Sequence, residues 1–107
     1  MDTFLIDSSL LIAYFRESEQ DHTKVVQFLK TLEKFTITDY VLLEVSTVLQ
    51  IRESLLIATK AITLLTQNAH VAVLRLTDDE LVETTAFFLT QKQKISFVDA
   101  SLIVMAK

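Results

Sequence analysis

Three short apolar runs, each too brief for a helix and each followed by a long stretch of helical periodicity, constrain the fold more than any other feature. Thr3 to Asp7 reads Thr-Phe-Leu-Ile-Asp, Phe35 to Ile37 reads Phe-Thr-Ile, and Val71 to Leu74 reads Val-Ala-Val-Leu. Runs of this length and composition predict strands, the first of them buried. Between the first two, Ser8 or Ser9 caps a short helix through Phe15, Arg16 to Gln20 is a polar break, and Asp21 opens a helix. That helix carries Val25, Val26, Phe28, Leu29 and Leu32 on one face. Thr38 then caps a helix from Asp39 to about Ile51, and another covers about Arg52 to Gln67 with Leu55, Leu56, Ala58, Ile62 and Leu65 as its stripe. Thr77 and Glu80 form a capping box that opens a helix to about Thr90. Gln91 to Ile95 reads as a loop, and Ser96-x-x-Asp99 starts a last apolar helix that runs to the C-terminus.

Strands alternating with helices predict an α/β domain with a mostly parallel sheet. A length of 107 residues fits one such domain, spanning residues 1–107, and a hydrophobic fraction of 50% excludes a disordered chain. The chain has no Gly, Pro, Cys or Trp. Without Gly there is no phosphate-cradling loop and no dinucleotide fingerprint, and without Cys there is no disulfide, thiol nucleophile or zinc ribbon. The N-terminus carries acids at positions 2 and 7 and no basic region, so it does not resemble an export signal. The longest charge-free stretch, Ala61 to Leu74, is too short and too polar to span a bilayer, which needs about 20 apolar residues. The expectation is a soluble, cytoplasmic protein with no membrane partner. The net charge is -4 and the ten Lys and Arg residues are scattered, so a nucleic-acid partner would need local contacts or a metal rather than a basic face.

In open parallel sheets, ligands sit at the carboxyl ends of the strands. That rule points to Asp7, which closes the first strand. Of the fourteen acids, Glu17, Glu19 and Asp21 lie in the polar break, while Asp78, Asp79, Glu80 and Glu83 crowd a helix N-terminus where the helix dipole favours anions. Asp7, Glu44 and Asp99 differ from these. Each stands in an apolar frame, in Phe4-Leu5-Ile6-Asp7, Val41-Leu42-Leu43-Glu44-Val45 and Phe97-Val98-Asp99-Ala100, and none has a Lys or Arg within one helical turn. A carboxylate in an apolar setting costs several kcal/mol unless paired or metal-bound. Three such anions could share one hard divalent cation, which takes oxygen ligands and keeps several waters. Each acid also has a plain structural reading: Asp7 as a helix cap, Glu44 as a stripe-edge residue facing solvent, and Asp99 as the acid of a capping box.

The same three segments resemble a PIN domain, the nuclease fold of the VapC toxins in VapBC-type toxin–antitoxin pairs. The matching pieces are Phe4 to Phe15 (FLIDSSLLIAYF), Tyr40 to Leu49 (YVLLEVSTVL) and Ile95 to Ala106 (ISFVDASLIVMA), in the family's order and over almost the whole chain. The resemblance implies a PIN-like three-layer fold, with a mostly parallel central sheet flanked by helices. It makes Asp7, Glu44 and Asp99 the metal-binding and catalytic acids, with Ser9 at a small polar position that helps order the site. It implies Mg²⁺ or Mn²⁺ as cofactor, RNA phosphodiester hydrolysis as the reaction, a small antitoxin as partner and a homodimer as the assembly. The family usually continues past the last helix into another strand and a further acid, whereas this chain stops at Lys107. The expected fold therefore lacks that C-terminal strand. The missing fourth acid supports an alternative, a catalytically weak PIN-like module that acts through protein contacts, and a third reading is a structural α/β domain with three capping acids.

Other motifs carry less. In Asp7-Ser8-Ser9, Ser9 stands where an aspartyl-phosphate phosphohydrolase has its second Asp. His22 and His70 belong to no Ser-His-Asp pattern. Tyr14, Phe15, Phe87 and Phe88 could stack bases, but at helical spacing they read as core.

Overall fold

The computed structural model describes residues 4–106. The chain forms two compact units, Met1–Leu74 and Arg75–Lys107. The first holds β1 (Phe4–Leu5), α1 (Ser8–Phe15), α2 (His22–Lys30), β2 (Phe35–Thr38), α3 (Asp39–Arg52), α4 (Leu55–Gln67) and β3 (Val71–Leu74). The second holds α5 (Asp78–Leu89) and α6 (Phe97–Met105).

The three strands pair in the order β1-β2-β3, all parallel. Phe4 and Leu5 stand opposite Phe35 and Thr36, and Phe35 to Thr38 stand opposite Val71 to Leu74. A parallel pair cannot be closed by a tight hairpin and needs a long crossover, so two helices separate each strand from the next. The first strand is shorter than its apolar run: Ile6 still donates its N–H to the Thr36 carbonyl at 2.9 Å, while Thr3 lies outside the described residues. The expected α/β architecture with a parallel sheet flanked by helices is the observed one.

Helix starts follow side-chain capping. Thr38, Ser54, Thr77 and Ser96 each accept a backbone N–H from the first turn, and Thr77 with Glu80 completes the capping box. At α1 the cap is Asp7 rather than Ser8 or Ser9. Asp7 is still extended (φ -88°, ψ 172°), whereas both serines are already helical. The helix expected from about Arg52 begins instead at Leu55, because Ser54 is extended (φ -165°, ψ 164°) and breaks the chain from α3. Asp21 stands at the start of α2 without a side-chain capping bond. Among the described residues none has positive φ, and helices end in extended, right-handed or irregular conformations. That is how a chain without glycine must turn, since the left-handed cap is costly for other residues.

The core of the first unit is built on α3. Val41, Val45 and Leu49 repeat at every fourth position and are fully buried, as is Ile37 on β2. Burying each such side chain is worth roughly 1.5–3 kcal/mol. On α4 the buried residues are Ala58, Ala61 and Leu65, while Leu55 and Leu56, expected in the stripe, are 67% and 63% exposed. The helical period explains this: Leu56 falls opposite Ala58, Ala61 and Leu65, and Leu55 falls at their margin. In the second unit α5 packs on α6, with Thr84, Ala100, Ser101 and Val104 buried and the Phe88 and Phe97 rings 5.3 Å apart. Among the described residues no helix is long and apolar enough to cross a membrane.

Candidate active site

The carboxyl end of β1 runs directly into α1, which places Asp7 at the N-cap and two serines in the first turn. The Asp7 carboxylate is half-buried. Its Oδ1 accepts the Leu10 backbone N–H at 3.2 Å and the Ser9 hydroxyl at 2.9 Å. Ser9 is exposed and serves that carboxylate from above the turn.

Ser8 points the other way. It is buried, and its hydroxyl donates a short hydrogen bond to Glu44 Oε1. Glu44 is half-buried at the edge of the Val41–Val45–Leu49 stripe, and α1 packs on α3 along this side. Two carboxylates that are thirty-seven positions apart in sequence are thus joined through one backbone step: residue 7 carries one and residue 8 holds the other. Ser8 is the contact that the sequence reading missed. A serine in a first helical turn reads as a cap, yet Ser8 precedes the buried Leu11 by three positions, so its hydroxyl had to face inward and find a partner.

Asp99 stands on α6 in the second unit. Ser96 Oγ accepts its backbone N–H at 3.0 Å, and the residue is exposed. The Ser-x-x-Asp start read from sequence is therefore present as a side-chain cap on the Asp99 amide. Within either unit, no three or more His, Asp or Glu side chains among the described residues are grouped so as to hold a metal ion.

Asp7 and Glu44 are half-buried acids outside the ion pairs of the described residues. The ion pairs among the described residues are those of Arg16, with Glu19 at 2.7 Å and Glu53 at 3.6 Å. Neither Asp7 nor Glu44 takes part in them. Among the described residues Asp7 Oδ2 and Glu44 Oε2 accept no hydrogen bond. Two half-buried carboxylates that no ion pair among the described residues balances offer the hard oxygen ligands that a divalent cation takes. The residues fit Mg²⁺ or Mn²⁺ in the chemistry of their ligands.

The remaining candidates resolve as structure. His22 Nδ1–H donates to the Ala13 carbonyl at 2.8 Å, tying α2 to α1, and His70 is exposed. Tyr14 and Phe15 contact edge to face at 4.9 Å and line a small cavity of about 60 Å³ with Leu11, Leu29, Phe35 and Val71. In the second unit Phe87 is half-buried and Phe88 packs on Phe97.

Known proteins share this fold. The family model of the PIN domain matches residues 4–107, and the chain belongs to that family, a family of nucleases. Among solved structures the fold is similar to that of the toxin VapC20 of Mycobacterium tuberculosis, with a TM-score of 0.90 at 19% identity. That match covers 96% of this chain and 80% of VapC20, which is described as a toxin that cleaves the Sarcin-Ricin loop. No curated protein sequence matches the chain.

Proposed function

We propose that this protein is a metal-dependent endoribonuclease that hydrolyses RNA phosphodiester bonds, acting as the toxin of a toxin–antitoxin pair. The observation that carries the proposal is the Asp7–Glu44 pair: two half-buried carboxylates, one after β1 and one on α3, each held by a serine hydroxyl and neither in an ion pair among the described residues. Membership of the PIN family supports the reaction class, and the VapC20-like fold supports the toxin role.

In this reading Asp7, Glu44 and Asp99 hold Mg²⁺ or Mn²⁺, and Ser9 orders the site. A divalent ion bound there supplies a Lewis acid for the scissile phosphate and activates a water as nucleophile. The chain's own part is to fix its ligands in advance. Ser9 and the Leu10 amide hold Asp7 through one oxygen and donate no bond to the other, and Ser8 does the same for Glu44. Such fixing removes reorganisation cost when charge develops on the phosphate. With a net charge of -4 and scattered basic residues, the protein brings little positive charge of its own to an RNA. The partners in this reading are an RNA substrate and a cognate antitoxin, the assembly is a homodimer, and the compartment is the cytoplasm.

The test is RNA cleavage by the wild-type chain with Mg²⁺ and with EDTA, beside Asp7→Asn, Glu44→Gln and Asp99→Asn. Cleavage that needs the metal and is lost in all three variants supports the proposal. Cleavage that survives the substitutions removes it. A folded wild-type protein that binds neither metal nor RNA favours the protein-binding module instead.

A further inference from the structure

We propose that Arg16 and Glu53 are positioning residues, whose ion pair at the far ends of α1 and α3 keeps the two helices in the axial register that brings Ser8 to Glu44. Arg16 is the C-cap of α1 and Glu53 the C-cap of α3. Arg16 Nε lies 3.6 Å from Glu53 Oε2, and the two side chains are only 19% and 29% exposed. That Nε atom is buried and has no hydrogen-bond partner, so the Glu53 carboxylate across the helix pair is its electrostatic counterpart. The outer nitrogen NH1 is held at 2.7 Å by Glu19, which fixes the guanidinium from its own end of the chain.

The spacing gives the pair its meaning. Ser8 to Arg16 is eight residues and Glu44 to Glu53 is nine, so the rise between the two ties is about 12 Å on α1 and about 13.5 Å on α3 at 1.5 Å per residue. The helices leave adjacent parallel strands and pack side by side, tied by Ser8–Glu44 at one end and Arg16–Glu53 at the other. Between the ties lie apolar side chains, Leu11 on α1 and Val45 and Leu49 on α3. Packing of these side chains sets the distance and crossing of the two helices, and the polar ties add a directional restraint on their slide at each end. A hydrogen bond fails within about 1 Å of stretch, so a small slide would release Glu44 from Ser8. A partly exposed ion pair contributes little to overall stability. Its effect should show at Glu44 and in catalysis rather than in the melting temperature.

For catalysis this inference rests on the reading of Asp7 and Glu44 as metal-holding acids; for geometry it does not. The experiment follows the ¹³C-carboxyl resonance of Glu44 in the metal-free, full-length protein, together with kcat and the Mg²⁺ concentration for half-maximal RNA cleavage. Ser8→Ala calibrates the resonance for loss of the serine contact. Glu53→Gln should displace the Glu44 signal by at least half the Ser8→Ala displacement, and Arg16→Gln should do the same. Glu19→Gln, which removes only the local partner, should leave it near the wild-type position. The double variant Arg16→Gln/Glu53→Gln should be no worse than either single one, as expected of groups that act together. In Glu53→Gln the Mg²⁺ requirement should rise by up to about tenfold, the lower range for residues that orient metal ligands. A Glu44 signal that stays at its wild-type position in Glu53→Gln overturns the proposal, whatever the change in melting temperature. If Arg16→Gln fails to fold, the isosteric Glu53→Gln still decides. A wild-type protein that cleaves no RNA contradicts the nuclease reading and not this one, because the resonance is read without metal or substrate.

Discussion

Acidic residues gather in two places, the start of α5 and the seam between α1 and α3, and the partners that hold them differ. At α5, Asp78, Asp79 and Glu80 fill the first turn, and Glu80 Oε1 accepts the Thr77 backbone N–H at 2.9 Å while Thr77 Oγ1 accepts the Glu80 N–H at 3.1 Å. A backbone donor satisfies Glu80, and Asp78 and Asp79 face water. At the α1–α3 seam, Asp7 and Glu44 are half-buried, serine hydroxyls hold them from the neighbouring turn, and no basic side chain among the described residues balances them. The acids at the start of α5 lie at an exposed helix end, whereas Asp7, although it also caps a helix, and Glu44 are half-buried and are held by serine hydroxyls.

Substitutions in the two places should separate along that line. Asp7→Asn is the most severe. Asparagine still caps α1, so stability should stay within about 0.5 kcal/mol, while metal-dependent cleavage should fall by about 10² or more; chemical denaturation and an RNA assay on the same preparation check both halves. Ser8→Ala should keep the helix but free Glu44, lowering cleavage about tenfold, as for residues that orient metal ligands. Initial rates across a Mg²⁺ series would show whether the loss is recovered at high metal. Thr77→Ala should do the reverse, costing about 1 kcal/mol in urea unfolding through the lost cap with cleavage unchanged. The smallest change belongs to Asp79→Asn, a few tenths of a kcal/mol from a weaker interaction with the helix dipole and no effect on RNA. If Thr77→Ala and Asp7→Asn fell on one common line of activity against stability, the division between the two acidic regions would be wrong.

Much of this was legible in the sequence. The strand runs at Phe35 and Val71, the caps at Thr38, Thr77 and Ser96, and the end of α1 at Phe15 each follow from local chemistry, and local chemistry is what a single sequence carries. The misplaced details have different causes. Leu55 and Leu56 are expected inside for their hydrophobicity, although the helical period puts Leu56 on the same face as Thr59, Lys60 and Thr63, away from Ala58, Ala61 and Leu65. Ser8 and Ser9 looked alike as caps, but the packing of α1 on α3 sends one inward to Glu44 and leaves the other beside Asp7. Glu44 was marked out by its apolar neighbours Val41 and Val48, a signal that survives because burial on a helix is periodic. Its serine partner, thirty-six positions away, left no such mark.

Calorimetric titration of Mn²⁺ into the wild-type protein and into Asp7→Asn and Glu44→Gln, without RNA, tests the central claim most directly. The account predicts binding to the wild type that is weakened at least about tenfold in each variant, since each removes a carboxylate ligand. Binding of equal strength in all three proteins, or no binding to the folded wild type, would contradict it.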